Sequence, residues 1–160
     1  MTHLPKPLRP RWRYLGVGIE AWPDAEIDRR SFQQALWYAA GNLLGDPGSA
    51  DADLRVIRFQ FAAGEGEAIV RVRRGEVDRG RAALACVATV GGDSVGLRVR
   101  GVSGTVRACE ERYLGRRAGG CAERSVALGD AERTAYVRDG ASDLSGPEGF
   151  TGATELDFEA

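Results

Sequence analysis

Hydrophobic residues recur at the spacing of a strand and then of a helix in the first third of the chain. Over residues 13–21 apolar side chains alternate with polar or small ones, which predicts a strand with one buried face. Asp28 is a good helix N-cap, and Gly45 is typical of a helix end. The apolar residues between them follow at spacings of three and four, which predicts an amphipathic helix: Phe32, Ala35, Leu36, Ala39 and Leu43. Residues 45–53, rich in Gly, Pro and Asp, are predicted to form a loop.

The pattern up to residue 114 predicts three more strands and two more helices. The strands cover residues 54–62, 67–73 and 95–102, and the helices cover 77–90 and 103–114. The first six elements follow the order of the split βαβ, or ferredoxin-like, pattern. We therefore predict an α/β (α+β) sandwich with a four-stranded antiparallel sheet. Two helices cover one sheet face, and an additional helix after the last strand lies over part of the other face.

The two ends of the chain differ from this central part. Residues 1–12 contain three prolines and three cationic side chains, which predicts an extended basic arm because proline disfavours helix and sheet. Residues 13–117 form the predicted ferredoxin-like domain. Residues 118–160 are acidic and rich in glycine with no sustained period, so we expect this tail to be mostly disordered.

The composition excludes several classes of protein. A chain of 160 residues accommodates one globular domain, and it has no run of about 20 apolar residues that could span a membrane. Three cysteines without a Cys-x-x-Cys pair fit a reducing compartment, so we expect a cytoplasmic protein. The single histidine, His3, argues against His-dependent catalysis and against a zinc site. We therefore predict no catalytic and no metal-binding residue.

Charge is unevenly distributed along the chain. Residues 1–117 carry 19 basic and 14 acidic side chains, a net charge of +5, whereas residues 118–160 carry three basic and nine acidic ones, a net charge of −6. Lys6 is the only lysine among 22 cationic residues. Arginine's planar fork suits bidentate phosphate contacts, although a GC-rich genome also explains the abundance of arginine. The distribution indicates that the positively charged part, residues 1–117, binds a polyanion.

Arginine alternates with aliphatic residues on the third and fourth predicted strands. This alternation sends four arginines to the side of the sheet opposite the aliphatic residues: Arg71, Arg73, Arg98 and Arg100. Arg58 on the neighbouring strand brings the number of guanidinium groups on this face to five. Such a cluster repels itself without an anionic partner. The partner is either the chain's own carboxylates or a phosphate backbone.

The segment before the last predicted helix has two interpretations. Ser103 and Thr105 are residue types that cap the free N–H groups of a helix. The same N–H groups carry partial positive charge and can bind an anion, on which Arg107, one turn further, could close. An ordinary N-cap and an anion site both fit this segment.

These segments resemble the archaeal ribonuclease P protein component 2 family. The resemblance is carried by the basic start at residues 4–15 (LPKPLRPRWRYL), by RAAL at 81–84 and by VSGTVRAC at 102–109, and it covers about residues 4–114. The chain departs from the family in its scarcity of lysine and in its long acidic tail after residue 115. The tail's role therefore stays open.

The resemblance implies a noncatalytic protein subunit of ribonuclease P, an endoribonuclease holoenzyme that removes 5′ leaders from precursor tRNA. It implies as partners the ribonuclease P RNA, precursor tRNA, ribonuclease P protein component 3 and the other protein subunits. The RNA with its Mg²⁺ carries the hydrolysis in this family, so no cofactor is expected on the protein. We expect the RNA contacts to come from ten residues: Arg9, Arg11, Arg13, Arg71, Arg73, Arg98, Arg100, Ser103, Thr105 and Arg107. Two alternatives stay open, namely an RNA-binding module of another ribonucleoprotein and a ferredoxin-like domain that binds a small ligand or acts as an enzyme.

Overall fold

The computed structural model describes residues 3–115, 122–129, 131–138 and 141–157. Within these ranges the helices and strands are, in chain order, β1 (Trp12–Ala21), α1 (Arg29–Ala52), β2 (Arg55–Ala62), β3 (Glu65–Arg73), α2 (Val77–Ala85), β4 (Thr89–Val90), β5 (Asp93–Ser103), α3 (Val106–Tyr113), β6 (Ala122–Leu128), β7 (Ala131–Arg138), β8 (Ala141–Gly146) and β9 (Gly149–Thr154). The predicted boundary between domain and tail, at residues 117 and 118, lies outside the described residues.

The first five strands form one antiparallel sheet in the order β2-β3-β1-β5-β4. Its main core lies on the face covered by α1 and α2, where apolar residues of β1 and β3 such as Leu15 and Val70 pack against Phe32 and Leu84. α3 packs on the opposite face against β1, β3 and β5. The prediction of a mixed α/β fold is therefore confirmed, with the first six predicted elements in the expected order.

The predicted number of strands is wrong because the helix predicted over 77–90 ends early. α2 stops at Ala85, and β4 pairs with the start of β5 through Thr89↔Ser94 and Val90↔Asp93. Gly91 and Gly92 have positive φ angles of 59° and 92°, which suits the tight turn between these strands. The sheet therefore has five strands rather than four.

α1 begins where the sequence predicts, and it continues further. The Asp28 carboxylate accepts a hydrogen bond from the Ser31 backbone N–H at 2.7 Å, and these bonds to Ser31 hold the pKa of Asp28 below its ordinary value. Gly45 breaks the helix with φ 71° and ψ 172°. A second helical segment follows with Pro47 in its first turn, where the missing N–H costs no helical bond. The predicted loop over 45–53 is therefore mostly helix.

The N-terminal arm is not uniformly extended. Lys6–Leu8 form one turn of 3-10 helix, in which the Leu8 N–H donates to the Pro5 carbonyl at 2.9 Å. Pro7 fits this turn because a proline at the start of a helix needs no N–H partner.

Much of the tail folds into a second sheet, so the expectation of a mostly disordered tail is wrong for the described part of it. β6, β7, β8 and β9 pair in sequence order as an antiparallel meander. The buried hydrophobic residues of this sheet among those described are Val126, Ala135 and Leu144. So small a core, spread among glycines and charged residues, gives little hydrophobic periodicity in the sequence.

Arg138 joins the second sheet to the first. Its guanidinium donates to the carbonyls of Gly64 at 2.7 Å and Ala21 at 3.0 Å, and it pairs with Asp143. The Arg138 side chain is only 12% exposed. A stacked pair of rings, Trp22 and Phe150, adds an apolar contact with centroids 5.9 Å apart.

Candidate nucleic-acid interface

The five arginines that the sequence assigns to one sheet face do lie on one face. Residues directly opposite each other in an antiparallel pair point to the same side. Arg73 and Arg71 of β3 lie opposite Trp12 and Tyr14 of β1, and Arg98 of β5 lies opposite Gly18. Arg58 lies opposite Ile69, which alternates in step with Arg71. We call this side of the sheet the arginine face.

Arg100 reaches the arginine face through an irregularity that alternation does not predict. The register between β1 and β5 shifts between Gly16, which pairs with Gly101, and Val17, which pairs with Val99. Arg100 is thus the extra residue of a β-bulge. Its guanidinium nevertheless lies over Gly18, about 3.1 Å from where a Cβ atom would sit.

α3 covers the middle of the arginine face. The ring of Tyr113 lies directly over Gly16 and Gly101, and a Cβ atom at Gly16 would come within 2.6 Å of the Tyr113 Cβ. Cys109 of the same helix is fully buried, and burial raises the pKa of its thiol to about 11. The helix therefore leaves the two ends of the face open and its centre closed.

Two of the five arginines are neutralised by the protein itself. Arg58 donates to Glu110 of α3 at 2.8 Å. Arg100 donates to Glu67 at 2.6 Å and to the Tyr113 carbonyl at 2.8 Å. Glu67 is buried, at 4% exposure, and also accepts from the Gly115 N–H at 3.0 Å. The alternative in which the chain's own carboxylates balance the cluster is therefore correct for these two side chains.

The other three arginines lie at opposite ends of the face. The guanidinium of Arg71 lies 3.8 Å from the Trp12 ring centroid, and that of Arg73 lies 5.7 Å from it. Arg98 is exposed and lies opposite Gly18 of β1. Gly18 is six residues from Trp12 along this strand, which corresponds to about 20 Å. No carboxylate of the described residues forms an ion pair with any of the three. The structure therefore divides the predicted surface into two separate parts.

The arm and its neighbours add cationic side chains at the Trp12 end of the sheet, with Arg13 on the opposite side of the sheet from Trp12. Arg11 is exposed, and Arg13 is half-buried with one N–H donated to the Trp12 carbonyl at 3.1 Å. Arg74, which sequence reasoning missed, is held beside Arg11 because its backbone N–H donates to the Arg11 carbonyl at 2.9 Å. The sequence feature that could have identified Arg74 is the pair of adjacent arginines, Arg73 and Arg74, at the end of β3. We call the set Arg11, Trp12, Arg13, Arg71, Arg73 and Arg74 the Trp12 corner.

Three of the four remaining predicted contacts have local hydrogen-bond partners, and the buried hydroxyl of Ser103 has none among the described residues. Thr105 is the N-cap of α3, since its hydroxyl accepts from the Ala108 N–H at 3.2 Å. Arg107 pairs with Glu111 at 3.0 Å, but the Arg107 side chain is 88% exposed, so this pair is weak. Ser103 is buried, and Arg9 donates to the Leu4 carbonyl at 2.9 Å.

The described residues form neither a candidate metal site nor a membrane-spanning helix. No group of three or more His, Cys, Asp and Glu side chains lies close enough together to hold a metal ion. None of the described helices has both the length and the apolar character needed to cross a bilayer.

Comparison with known proteins identifies relatives over the whole length. Ribonuclease P protein component 2 of Halorubrum lacusprofundi is 61% identical over 159 residues, which are 99% of this chain and 100% of that protein. The protein of the same name from Natronomonas pharaonis is 57% identical over 99% of this chain and 98% of its own length. That from Methanosarcina mazei is 32% identical over 71% of this chain and 93% of its own. The Methanosarcina mazei protein is therefore shorter than this chain.

A solved structure and a family model give further matches. One chain of the yeast ribonuclease MRP structure superposes with a TM-score of 0.46 and 16% identity, covering 59% of this chain and 75% of that one. The model of the Rpp14/Pop5 family matches residues 13–114, well over half of the chain. The family match and the full-length relatives confirm the resemblance found in the sequence, and the chain belongs to the Rpp14/Pop5 family.

Proposed function

We propose that this chain, a protein subunit of ribonuclease P, binds the catalytic RNA of that enzyme through the Trp12 corner. In this role it assists the removal of the 5′ leader from precursor tRNA. The proposed partners are the ribonuclease P RNA, precursor tRNA, ribonuclease P protein component 3 and the other protein subunits. The RNA, with Mg²⁺ bound to it, carries the hydrolysis.

One observation carries the proposal, namely the segregation of paired and unpaired arginines. Arg58 and Arg100, near the middle of the arginine face, have carboxylate partners at 2.8 and 2.6 Å. The five arginines of the Trp12 corner have none among the described residues. Five uncompensated guanidinium groups in one region create a positive potential that attracts a polyanion. A phosphate backbone supplies the missing negative charge.

The ten residues expected to contact RNA therefore have different roles. Arg11, Arg13, Arg71 and Arg73 form the proposed main contact, and Arg74 joins them. Arg98, Arg107 and Arg9 are exposed and serve as secondary phosphate contacts. Arg100 and Thr105 act through the fold, because one holds Glu67 and the other caps α3. Ser103 is buried at the end of β5, where its backbone pairs with Tyr14 of β1.

Trp12 orients the corner rather than reading a base. Its ring lies under Arg71 at 3.8 Å and near Arg73 at 5.7 Å. A guanidinium that lies over an aromatic ring keeps its N–H edge free for hydrogen bonds. The two arginines therefore present preorganised donors to phosphate oxygens, which positions the RNA without specifying its sequence.

Reconstitution tests the proposal. The full chain is added to its cognate ribonuclease P RNA, together with component 3, and cleavage of precursor tRNA is followed at low Mg²⁺. We expect cleavage to increase with the wild-type chain, and to increase much less with an Arg71→Gln, Arg73→Gln variant that unfolds at the wild-type temperature. Arg30→Gln with Arg81→Gln, two exposed positions on α1 and α2, is the matched control.

Each alternative corresponds to a distinct result. Tight binding of a structured RNA with no gain in precursor cleavage would favour a subunit of another ribonucleoprotein. Cleavage by the isolated protein, without any RNA component, would favour an enzyme. A loss of cleavage that is equal for the α1–α2 control and the arginine-face variant would contradict the Trp12 corner as the contact.

A further inference from the structure

A small basic cleft lies at the Trp12 corner, where the start of β1, the end of β3 and the loop before α3 meet. Its volume is about 310 Å³, and its lining consists of Arg11, Trp12, Arg13, Tyr14, Arg74 and Gly104. We infer that this cleft binds one phosphate group of an RNA. The inference rests on the proposed function, and it adds a defined subsite and the residue Arg74 to it.

The three arginines of the cleft are held together by the backbone. The Arg74 N–H donates to the Arg11 carbonyl at 2.9 Å, which fixes the end of β3 against the arm. Arg13 donates one of its five N–H groups to the Trp12 carbonyl at 3.1 Å, so four are left for a ligand. None of the three has an ion pair with a described carboxylate. The cleft therefore gathers three positive charges without an internal anion.

Gly104 supports an open cleft. Its φ is not in the left-handed region, so the backbone conformation does not require glycine. A Cβ atom at this position would meet no fold-defining atom, because its nearest neighbour would be the Arg13 Nη1 at 3.9 Å. A larger side chain would thus stand in front of the Arg13 guanidinium. Neither backbone conformation nor packing requires glycine here, and its lack of a side chain leaves the space beside the Arg13 guanidinium open.

The chemistry of the lining selects phosphate among anions. Guanidinium forks bind phosphate oxygens in a bidentate manner, and three of them around one site match a tetrahedral group with several acceptor oxygens. The phosphate comes from either an internal phosphodiester or a 5′ end, and the two sources share this chemistry.

The first experiment measures binding of the cognate ribonuclease P RNA over a series of salt concentrations. Arg74→Gln should weaken binding by about tenfold and make the plot of log Kd against log salt shallower by about one unit, as expected for one lost phosphate contact. Gly104→Val should weaken binding to a similar degree although it removes no charge. Arg81→Gln, which removes an exposed cation from α2, is the matched control and should change neither quantity.

The second experiment identifies the source of the phosphate. In ethylation interference, modification of one particular phosphate should weaken binding of the wild-type chain and have no further effect on Arg74→Gln. A preference for short RNAs with a 5′-monophosphate over the same RNAs with a 5′-hydroxyl, lost in Arg74→Gln, would assign the site to an RNA end.

The outcomes separate the inference from the proposed function. If Arg74→Gln and Gly104→Val both bind RNA as Arg81→Gln does, and all unfold at the wild-type temperature, the cleft is not a phosphate site although the subunit binds RNA. If the wild-type chain itself does not bind the ribonuclease P RNA, the proposed function fails, and the inference fails with it.

Discussion

Arg100 and Glu67 form an ion pair in the middle of the arginine face, with 2.6 Å between the Arg100 Nη1 and the Glu67 Oε1, and Glu67 is the buried partner. Arg98, two residues earlier on β5, has no ion-pair partner among the described residues and is exposed. Two arginines that are equivalent in the sequence pattern therefore differ in role. Arg100 neutralises a buried carboxylate of the fold, and Arg98 belongs to the surface.

Substitution separates these two roles. Arg100→Gln leaves the buried Glu67 carboxylate without its charged donor, so we expect the free energy of unfolding to fall by about 2 kcal/mol. Arg98→Gln should change it by less than about 0.5 kcal/mol. Urea denaturation at neutral pH measures both values. An equal loss for the two variants would show that the burial of Glu67 does not matter.

Trp12 should contribute to RNA binding through Arg71 and Arg73. Trp12→Leu removes the ring that lies 3.8 Å from the Arg71 guanidinium, so we expect RNA affinity to fall by about fivefold, with Trp12→Phe in between. Trp37→Leu is the matched control because Trp37 also lies near an arginine, Arg55 at 5.9 Å, but on α1. Filter binding gives the dissociation constants. Equal effects of the two leucine variants would contradict this role of Trp12.

The contact of Tyr113 with Gly101 should be sensitive to a single methyl group. Because the ring of Tyr113 occupies the space of a Cβ atom at this glycine, Gly101→Ala should lower the free energy of unfolding by about 1–3 kcal/mol. Gly96→Ala on the same strand meets no atom within 4 Å and should have little effect. In a double-mutant cycle, the cost of Gly101→Ala should shrink when Tyr113 is replaced by Leu. Additive costs would mean that the ring is not the obstacle.

Arg138 should determine whether the second sheet stays attached. Arg138→Gln removes the buried charge that holds the carbonyls of Ala21 and Gly64, so proteolytic cleavage within residues 122–154 should become faster by about tenfold. The body over residues 12–113 should stay resistant. Arg124→Gln, an exposed arginine on β6, serves as the control. Mass spectrometry of a limited digest locates the cuts, and unchanged cleavage in Arg138→Gln would contradict the anchor.

The buried thiol of Cys109 should make stability depend on alkaline pH. Its pKa rises from 9.0 to about 11 in the folded state because burial disfavours the thiolate. The unfolded chain therefore loses this proton first, and the free energy of unfolding decreases as pH rises from 9 to 11. Cys109→Ala should show a smaller decrease over this range than the wild type, whereas Cys86→Ala, at an exposed position, should not. Denaturant midpoints at pH 8 and pH 10.5 test this, and identical slopes for both variants would contradict it.

The sequence was sufficient to predict the elements whose signals are local. The Asp28 cap, the alternation in β1 and the face assignment of Arg71 each depend on a few neighbouring residues, and the structure agrees with all three. The family resemblance is likewise carried by short segments. These features need no knowledge of distant contacts.

The features that were missed depend on contacts between distant residues. β4 has two residues and exists because β5 pairs with it. The pairing of Arg100 with Glu67 joins residues 33 apart in sequence, and Arg138 bonds to a carbonyl 117 residues away. The core of the second sheet has three buried hydrophobic residues, which are difficult to recognise within an acidic sequence. Arg74 was overlooked because its role comes from the arm beside it.

The bonds from Arg138 that join the two sheets constrain the residue type at one of their two acceptor positions more than at the other. Arg138 donates to the main-chain oxygens of Ala21 and Gly64. The side chain at position 21 therefore matters little for these hydrogen bonds. Gly64 is different, since it has a φ of 79° and a Cβ atom there would come within 2.7 Å of the Ala21 carbonyl oxygen and within 2.9 Å of the Arg138 Nη1. A side chain at this turn would press on the backbone of the first sheet as well as on the guanidinium that anchors the second. Glycine at position 64 thus serves the five-stranded sheet and the attachment of the second sheet at the same time.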